Sequence, residues 1–525
     1  MSTPSPPPSK VTYTSARMDL TLFHRAFDEA LAAVRARAGE RHPILVEGRS
    51  LSSPAAPLVD TSPIDTGLVL GFFESAQADH LDLAVQAARR AQPAWGRRPF
   101  AERVALLRRA AAAIRARRFE LAALMSLEVG KSRLEAMGDA EEAADLVDYY
   151  ASQVEEAHGW DRPLGRLAEN ENTRSLLRPY GVFACIAPFN FPMALSTGMS
   201  SAALLAGNAV VYKPSSEAPF TGLMLARSYE EAGLPPGLFG YLPGRGSELG
   251  EALVRHPGVD GVVFTGSKEV GLRLLRACAE PFARPALLEL GGKNPTYVAR
   301  SADLKKAAEG VVRSAFGLQG QKCSACSRVY VEAGVHRAFL AELLERTRAL
   351  PKGDPSERDV FFGPLVNARA VATFEAAVAS ARAGGEILLG GERLRGGIFD
   401  RGHFVAPTVA ELPLDHELFA RELFVPLLAV GVVADLEEAL REANRTEYGL
   451  TAGIFSGDRE EILRFFEGVE AGVCYANRAS GATTGAWPGV QSFCGWKGSG
   501  TTGKGGCGPY YVMQFMREQS RTIME

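Results

Sequence analysis

The chain has 525 residues, 46% of them hydrophobic, which is enough for about two or three domains with a large buried core. Its 58 Lys and Arg residues nearly balance its 61 Asp and Glu residues, and the net charge of −3 excludes the strong basic field that favours nucleic acid or anionic lipid. Small-molecule chemistry is therefore the favoured class of function.

Cysteine usage and the N-terminus predict the compartment. The seven cysteines are an odd number scattered along the chain, with no secretory signal pattern and no apolar run near about 18 residues that would predict a membrane span. We therefore expect free thiols in a reducing cytoplasm. Residues 1–10 are rich in Ser and Pro and are predicted to be disordered.

The N-terminal third is predicted to be mainly helical. Apolar residues recur at helical spacing in residues 20–38, and Ala-, Leu- and Arg-rich helices are predicted at 78–91 and 101–125. Residues 159–178 break this pattern with Gly, Pro, Asn and Glu, which predicts a protruding hairpin or long loop that leaves the main body.

From Gly181 onward, short apolar runs alternate with helical stretches. This alternation predicts βαβ units and a parallel, Rossmann-type sheet covered on both faces. The predicted strands are 182–187, 209–213, 239–242, 261–264 and 286–290, and the predicted helices are 194–205, 222–231, 247–254 and 268–279. Such sheets bind ligands outside the carboxyl ends of their strands, where the loops 188–192, 213–216, 243–246 and 265–267 are expected.

A second α/β block is predicted between residues 306 and 497. Its predicted helices are 337–350 and 368–383, and its predicted strands are 427–433 and 451–454. The tail, residues 508–525, is a short apolar and aromatic run that is expected to add a strand to a neighbour's sheet edge. The sequence thus predicts two α/β units followed by an extended tail.

The most informative residue is Cys323, which lies among glycines and small polar residues in the run from Gly320 to Arg328. A thiol in such a loop is accessible to a substrate and close to backbone donors, which indicates a nucleophile. An inert buried cysteine is the alternative, but glycines and small polar residues are not the neighbours expected of a cysteine in the core.

Two other chemistries compete for Cys323. Cys323 and Cys326 have the spacing of a redox pair or half a zinc site, but structural zinc needs about four ligands and the sequence has no second Cys or His pair. A Cys–His hydrolase would need a base such as His403 or His416, neither of which lies in a glycine-rich loop. We therefore predict no metal site.

Two residues are candidate partners for this thiol. Glu289 ends an apolar strand before Gly291 and Gly292, where a partly desolvated carboxylate with a raised pKa can deprotonate water. Asn190 lies in a turn bracketed by prolines, where its amide can serve an oxyanion hole. Taken singly, Glu289 is better explained as a solvated or salt-bridged carboxylate at a strand end, and Asn190 as an amide that stabilises its own turn.

Thr265, Gly266 and Ser267 precede a predicted helix, so its free backbone N–H groups are placed to bind phosphate. An ordinary helix N-cap explains Ser267 equally well. Gly244, Gly246 and Gly250 lack the spacing of the usual dinucleotide fingerprint.

Together these motifs resemble the aldehyde dehydrogenase superfamily over about residues 40–515. The similar segments, in family order, are Pro188-Phe189-Asn190-Phe191-Pro192, Lys213-Pro214-Ser215, Phe264-Thr265-Gly266-Ser267, Glu289-Leu290-Gly291-Gly292-Lys293, Gly320-Gln321-Lys322-Cys323 and Glu422-Leu423-Phe424-Val425-Pro426. The resemblance implies NAD as cofactor, with NADP possible, and an aldehyde as substrate.

The resemblance also implies a role for each matching residue. Cys323 is the expected nucleophile, Asn190 with the Cys323 backbone N–H the oxyanion hole, and Glu289 the base that activates water. The expected cofactor-binding residues are Phe189, Lys213 (ribose), Ser215, Ser216, Gly246, Thr265, Gly266, Ser267 (pyrophosphate), Leu290, and Glu422 with Phe424 at the nicotinamide end.

Within the superfamily, the chain is most similar to the 1-pyrroline-5-carboxylate dehydrogenases, which oxidise L-glutamate γ-semialdehyde to L-glutamate in proline breakdown. The similar stretches are Gly320 to Ala325, Gly292 to Pro295, Thr484 to Ala486 and Gly489 to Phe493. Ser324 and the backbone N–H groups near Gly485 and Ala486 are expected to hold an α-carboxylate. Phe191 and Phe493 are expected to flank the aliphatic chain, with core packing as the alternative.

The sequence departs from the family pattern in three places. Ser216 stands where many NAD-preferring members have an acidic residue, although Glu217 is a possible substitute. Cys494 replaces a usual glycine, and residues 478–483 form a stretch that is longer than in many relatives. The last two changes fall in the expected substrate loop, so another semialdehyde or an aliphatic aldehyde is the alternative substrate.

The resemblance further implies three structural units: an NAD(P)-binding domain (11–157 and 179–289), a catalytic domain (290–496), and an oligomerisation hairpin and tail (158–178 and 497–525). A homodimer or an assembly of dimers is expected. Two other functions stay open: an acyl transferase to coenzyme A, disfavoured by Glu289, and a catalytically silent homologue, disfavoured by the presence of Cys323, Asn190 and Glu289.

Overall fold

The computed structural model describes residues 20–479 and 486–525. The expected disorder of residues 1–10 and the expected roles of Thr484 and Gly485 concern residues outside these ranges. The α-helices are α1 (Thr21–Ala36), α2 (Ala78–Arg97), α3 (Phe100–Ala116), α4 (Arg118–Val129), α5 (Arg133–Glu156), α6 (Ala194–Leu205), α7 (Pro219–Glu231), α8 (Gly246–Arg255), α9 (Lys268–Cys278), α10 (Leu304–Phe316), α11 (His336–Arg348), α12 (Ala368–Gly384), α13 (Leu436–Asn444) and α14 (Arg459–Gly468).

The strands form five sheets within the described residues. Those in the first half of the chain are β1 (Glu40–His42), β2 (Ile44–Val46), β3 (Arg49–Leu51), β4 (Leu58–Thr61), β5 (Val69–Phe73), β6 (Asp161–Pro163), β7 (Glu171–Pro179), β8 (Val182–Ile186), β9 (Ala209–Lys213), β10 (Phe239–Tyr241) and β11 (Gly261–Thr265). Those in the second half are β12 (Ala286–Glu289), β13 (Asn294–Val298), β14 (Cys326–Glu332), β15 (Glu386–Leu389), β16 (Thr408–Glu411), β17 (Leu427–Val433), β18 (Tyr448–Gly449), β19 (Thr451–Phe455), β20 (Val473–Ala476), β21 (Trp496–Lys497) and β22 (Met516–Met524).

The first large sheet has the order β12-β11-β8-β9-β10-β2-β3. Its strands from β12 to β10 are parallel, which confirms the predicted Rossmann-type core. Chain order reverses between β8 and β11, and such a reversal opens a ligand crevice at the carboxyl ends of the strands. The loops after β8 and β11 carry the Asn190 turn and the Thr265-Gly266-Ser267 segment, so the topology brings these two motifs to one edge.

The second large sheet has the order β15-β16-β17-β14-β13-β19-β20. Successive residues of its strands point to opposite faces: Tyr297 and Tyr330 pack into one core cluster, while Val298 and Val329 pack into the other. The hydrophobic runs of these strands therefore reflect burial on both faces of the sheet, as in other parallel sheets.

The prediction of a mainly helical N-terminal third was incomplete. The short strands β1 to β5 lie there, and β2 with β3 extends the first large sheet in antiparallel fashion. Strands of about three residues are too short for a periodic signal, and pairing with distant strands stabilises them. The single helix predicted at 101–125 is two helices, α3 and α4, separated at Arg117.

The hairpin predicted at 159–178 is confirmed as strands β6 and β7. The tail strand β22 pairs with β7 of its own chain, antiparallel from Met516 opposite Pro179 to Met524 opposite Glu171. This differs from the expectation that the tail adds a strand to a neighbour's sheet, because the hairpin offers a nearby edge. Hairpin and tail thus form one three-stranded sheet, β22-β7-β6.

Among the described residues, no helix combines the length and apolar character that a bilayer-spanning segment requires.

Candidate active site

A pocket of about 110 Å³ opens between the carboxyl edge of the first large sheet and the amino edge of the second. Much of the predicted site lies on its walls. The predicted site residues that line it are Phe191, Thr265, Glu289, Leu290, Cys323, Ser324, Ala486 and Phe493. The expected nucleophile, the expected base and four of the five expected substrate-binding residues are therefore brought together by the fold.

Cys323 lies in the loop between α10 and β14, and its backbone is held from several sides. Asn294, the first residue of β13, donates from Nδ2 to the carbonyls of Cys323 at 2.7 Å and Ala325 at 2.9 Å. Gly320 has a φ of 70°, and a Cβ there would lie 2.8 Å from the Val425 carbonyl oxygen. Glycine is therefore required in the turn that presents the thiol.

The surroundings of the Cys323 thiol favour its neutral form. Burial raises its pKa to about 12, and the carboxylates of Glu422 and Glu289 add to this, while the backbone N–H groups of Ser324 and Cys323 lower it. Donors that face the sulfur are also placed to face an oxygen bound to the carbon that the sulfur attacks.

This raised pKa predicts a steep pH dependence of Cys323 alkylation. Because the thiolate is the reactive form, the rate constant for iodoacetamide should rise about tenfold per pH unit from about pH 7 to pH 10. Mass spectrometry of the Cys323 peptide measures this rate constant separately from those of the other cysteines. The urea-unfolded chain is the control, and its alkylation rate constant should stop rising once the pH passes the ordinary thiol pKa. The same early plateau in the folded protein would contradict the prediction.

Glu289 is the last residue of β12, as predicted, and it lines the pocket. One carboxylate oxygen, Oε2, is buried and has no hydrogen-bond partner within residues 20–479 and 486–525. Burial raises the pKa of this carboxyl well above its usual range, and the Gly495 backbone N–H lowers it. A desolvated carboxylate that faces a pocket is suited to accept a proton from water.

The Asn190 turn follows β8, and its side chains divide between the core and the pocket. Asn190 is 3% exposed and is not among the residues that line the pocket, whereas its neighbour Phe191 is. The Lys131 ammonium lies 3.7 Å from the centre of the Phe191 ring. The oxyanion role of Asn190 therefore stays a prediction.

The residues expected at the adenosine end cluster at the carboxyl ends of β9 to β11. Lys213 is buried, its Nζ donates to the Pro214 carbonyl at 2.7 Å, and burial lowers its pKa to about 8. A Cβ added to Gly246 would lie 3.8 Å from this Nζ. Ser267 caps α9 by accepting from the Val270 N–H at 3.4 Å, so free amides at this helix start face the same edge.

The hydroxyls of Ser215 and Ser216 are engaged with the backbone. Ser215 Oγ accepts from the Glu217 N–H at 3.2 Å, and Ser216 Oγ donates to the Gly244 carbonyl at 3.2 Å. The Glu217 carboxylate is hydrogen-bonded to Asn367, and burial raises its pKa. Glu217 is thus turned toward the start of α12, which argues against its replacing an acidic residue at position 216.

The residues expected at the nicotinamide end adjoin the Cys323 loop. Glu422 Oε1 accepts from the Gly292 N–H at 3.0 Å, and burial raises the pKa of this carboxyl to about 7. Phe424 has a φ of 60°, and its ring meets that of Phe189 edge-on at 5.9 Å. A small cavity beside the loop is lined by residues that include Gly292, Lys322, Glu422 and Phe424.

Several residues that line the pocket were not predicted from the sequence. Glu142, Tyr150, Cys507 and Tyr511 line the pocket, the two tyrosine rings stack at 5.4 Å, and Cys507 Sγ lies 3.9 Å from Glu142 Oε1. The available signal was the spacing of Glu135, Asp139 and Glu142, which places three carboxylates on one face of α5.

The competing partners of Cys323 lie elsewhere. Cys326 is buried at the start of β14, where its Sγ donates to the Arg328 carbonyl at 3.5 Å. His403 and His416 are not among the residues that line the pocket, and the His416 ring caps a helical turn by accepting from the Leu418 N–H. Cys494 donates to the Gly472 carbonyl at 3.5 Å.

Comparison with known proteins agrees with this geometry. The family model described as the aldehyde dehydrogenase family matches residues 52–520. The chain belongs to the aldehyde dehydrogenase family. A 1-pyrroline-5-carboxylate dehydrogenase from a Geobacillus species is 36% identical over 507 residues, covering 95% of this chain and 96% of the relative.

Solved structures of aldehyde dehydrogenases superimpose over nearly all of the chain. A 1-pyrroline-5-carboxylate dehydrogenase from Thermus, solved with bound NAD, has a TM-score of 0.93 at 35% identity, with 100% of both chains covered. Lactaldehyde dehydrogenase from Escherichia coli has a TM-score of 0.87 at 32% identity, covering 93% of this chain and 100% of that one. These two relatives are named for different substrates, so the shared fold does not by itself specify the substrate.

Proposed function

We propose that this aldehyde dehydrogenase oxidises L-glutamate γ-semialdehyde, which forms from 1-pyrroline-5-carboxylate, to L-glutamate in proline breakdown. The observation that carries the proposal is that Cys323, Glu289, Ser324 and Phe493 all line the same pocket. The similarity over nearly the whole chain to proteins named for this substrate supports it.

The reaction would begin at Cys323. Its thiol releases its proton to solvent, the thiolate sulfur adds to the aldehyde carbon, and the resulting oxyanion is stabilised by Asn190 Nδ2 and the Cys323 backbone N–H. When bound, NAD⁺, or NADP⁺, supplies the acceptor for the hydride that this carbon loses. The product on the protein is a thioester at Cys323.

Glu289 would then complete the cycle. Its carboxylate takes a proton from water, the water oxygen attacks the thioester, and the carbon–sulfur bond breaks to release the carboxylic acid and the Cys323 thiol. The buried Oε2 without a partner in the described chain is the atom best suited to this proton. The presence of this base favours hydrolysis over acyl transfer to coenzyme A.

The dinucleotide would lie along the carboxyl edge of the first large sheet. The buried Lys213 amine beside Gly246 and the capped start of α9 fit a ribose and a pyrophosphate, respectively. The residues that would hold the cofactor are Phe189, Lys213, Ser215, Ser216, Gly246, Thr265, Gly266, Ser267, Leu290, Glu422 and Phe424.

The substrate would lie with its aldehyde at Cys323. Ser324 Oγ and the backbone N–H groups near Gly485 and Ala486 would bind the α-carboxylate, and Phe191 and Phe493 would flank the chain. We assign residues 11–157 and 179–289 to the cofactor domain and 290–496 to the catalytic domain. Hairpin and tail, 158–178 and 497–525, would form the contact between subunits of a cytoplasmic homodimer or an assembly of dimers.

A panel of aldehydes tests the substrate. We expect kcat/KM for glutamate semialdehyde to exceed that for succinate semialdehyde, aminoadipate semialdehyde and propanal by at least about tenfold, because the relatives similar over nearly the whole chain are named for the cyclic form of this substrate. NADH formation measures the rates.

Ser324→Ala sharpens the same test. It should lower kcat/KM about tenfold or more for glutamate semialdehyde, because a hydrogen bond to a charged carboxylate is lost, and leave propanal nearly unchanged. A higher kcat/KM for propanal than for glutamate semialdehyde would refute the substrate while leaving the reaction class intact. No NADH from any aldehyde would favour the silent homologue.

A further inference from the structure

Helix α5 carries two buried carboxylates, Glu135 and Asp139, one helical turn apart. Glu135 is 9% exposed and Asp139 is fully buried. Residues at this spacing lie on the same face of a helix. In this structure the face is directed at two loops that are far apart in sequence, the Asn190 turn and the Cys323 loop.

Asp139 holds the Asn190 turn. Its Oδ1 accepts from the Ala194 N–H at 2.6 Å, and the Met193 N–H also donates to this carboxylate. Its Oδ2 accepts from Lys131 Nζ at 2.8 Å, and the same ammonium lies 3.7 Å from the centre of the Phe191 ring. Asp139 therefore binds the backbone of Met193 and Ala194, directly after the turn, and contacts the ring next to Asn190 through Lys131.

Glu135 holds the Cys323 loop. Its Oε2 accepts from the Leu318 N–H at 3.2 Å, and its Oε1 accepts from Lys322 Nζ at 2.5 Å. Leu318 and Gln319 have φ values of 45° and 54°. Such backbone persists only where the surroundings hold it, and Glu135 is one of the groups that does so immediately before Cys323.

The Asp139–Lys131 and Glu135–Lys322 ion pairs both lie near the ring of Phe191. Lys131 Nζ and Lys322 Nζ lie 3.7 Å and 6.0 Å from the centre of Phe191. The two lysines and the two acids balance in charge. Buried ion pairs add little net stability compared with apolar side chains of similar volume, so a gain in net stability does not by itself explain why these four groups are buried beside the pocket.

We infer that Lys131, Glu135, Asp139 and Lys322 together set the spacing between the Asn190 turn and the Cys323 loop. We call these four residues the bracket; its Asp139 arm is the pair Asp139 and Lys131, and its Glu135 arm is the pair Glu135 and Lys322. The inference rests on the proposed function, in which Asn190 and Cys323 act on the same carbonyl. Misplacement of a reacting group by about 1 Å can cost about 100-fold in rate. The four side chains are thus positioning residues, each acting through one of the two loops.

The Asp139 arm is tested by Asp139→Asn, which keeps an acceptor for the Ala194 N–H but removes the charge opposite Lys131. We expect kcat to fall about 10- to 100-fold and the rate of Cys323 alkylation by iodoacetamide to change less than about twofold, since alkylation does not use Asn190. In the Asn190→Ala background, Asp139→Asn should cost less than about twofold more, because the two residues act as one unit. Additive losses would overturn this arm.

The Glu135 arm is tested by Glu135→Gln. Because this side chain acts on the Cys323 loop, we expect both kcat and the alkylation rate to change by about tenfold. The matched control is Asp148→Asn on the same helix, which breaks an ion pair with Arg115 at 2.6 Å that is partly exposed; neither rate should change. An alkylation rate in Glu135→Gln equal to that of the native protein would overturn the arm.

Removal of a single buried charge can unfold the chain, so the pair variant Lys131→Met/Asp139→Asn is made alongside and both are followed by thermal melting. If Asp139→Asn fails to fold, kcat and the alkylation rate are measured on the pair variant instead, both alone and in the Asn190→Ala background. Recovery of both native Tm and native kcat in the pair variant would reduce the bracket to a stability device and overturn the inference. The alkylation measurements need no substrate, so they stand even if glutamate semialdehyde proves to be the wrong aldehyde.

Discussion

Cys323→Ala should lower kcat by at least about 10⁴-fold for every aldehyde, because no other group then forms the covalent intermediate. The structure supports this expectation through the position of the thiol, which lines the pocket together with Glu289 and Ser324. Steady-state NADH formation measures the loss. Cofactor binding, followed by equilibrium fluorescence, should be nearly unchanged, which separates lost chemistry from lost folding.

The matched control is Cys326→Ala. Cys326 is the closest cysteine in sequence, but it is buried in the core of the second large sheet. We expect its loss to cost at most a few degrees of Tm and to leave kcat within about twofold. Turnover that survives in Cys323→Ala, or that disappears equally in both variants, would contradict a specific role for Cys323.

Glu289→Gln should lower steady-state kcat about 10²- to 10⁴-fold, because the amide cannot take a proton from the hydrolytic water. The first half of the reaction does not need this base, so a rapid burst of NADH, stoichiometric with active sites, should remain. Stopped-flow absorbance measures the burst, and mass spectrometry detects the acyl group on Cys323. Loss of the burst together with the steady state would contradict a role confined to hydrolysis.

The pH dependence of deacylation provides a second reading of the same group. Burial raises the pKa of Glu289 well above its usual range, and the protonated carboxyl cannot act as a base. The rate should therefore rise with pH through this raised pKa and fall on the acid side of it. Glu289→Gln should lose this acid limb, whereas Glu375→Gln, an exposed carboxylate on α12, should retain it.

Local patterns predicted the first large sheet well. The strand predicted at 209–213 and the helix predicted at 194–205 have the bounds of β9 and α6. Ser267 caps α9 as expected. Each of these features depends on signals within a few residues: a buried apolar run, helical spacing, or a side-chain oxygen before the first helical turn.

Features that depend on distant partners were missed or only partly predicted. Strand β2 became visible only through its pairing with Tyr241, and β3 through its pairing with β2. The tail strand became visible through its pairing with β7. In the pocket, Tyr511 comes from the C-terminal segment and Glu142 from α5. Neither lies in a motif, because its role follows from where a distant segment packs.

Short stretches of sequence were enough to predict the family-specific groups: a thiol in a glycine-rich turn, a carboxylate at a strand end and an amide between prolines. These are properties of short segments whose backbone preferences are local. The three-dimensional packing was needed to establish that Cys323 and Glu289 face one pocket, and that the carboxylates of α5 hold the Asn190 and Cys323 loops. The hydrogen bond between Glu135 and Leu318, for example, joins a helix to a loop across 183 residues of sequence, and it is the packing of the sheets and helices that sets such distances.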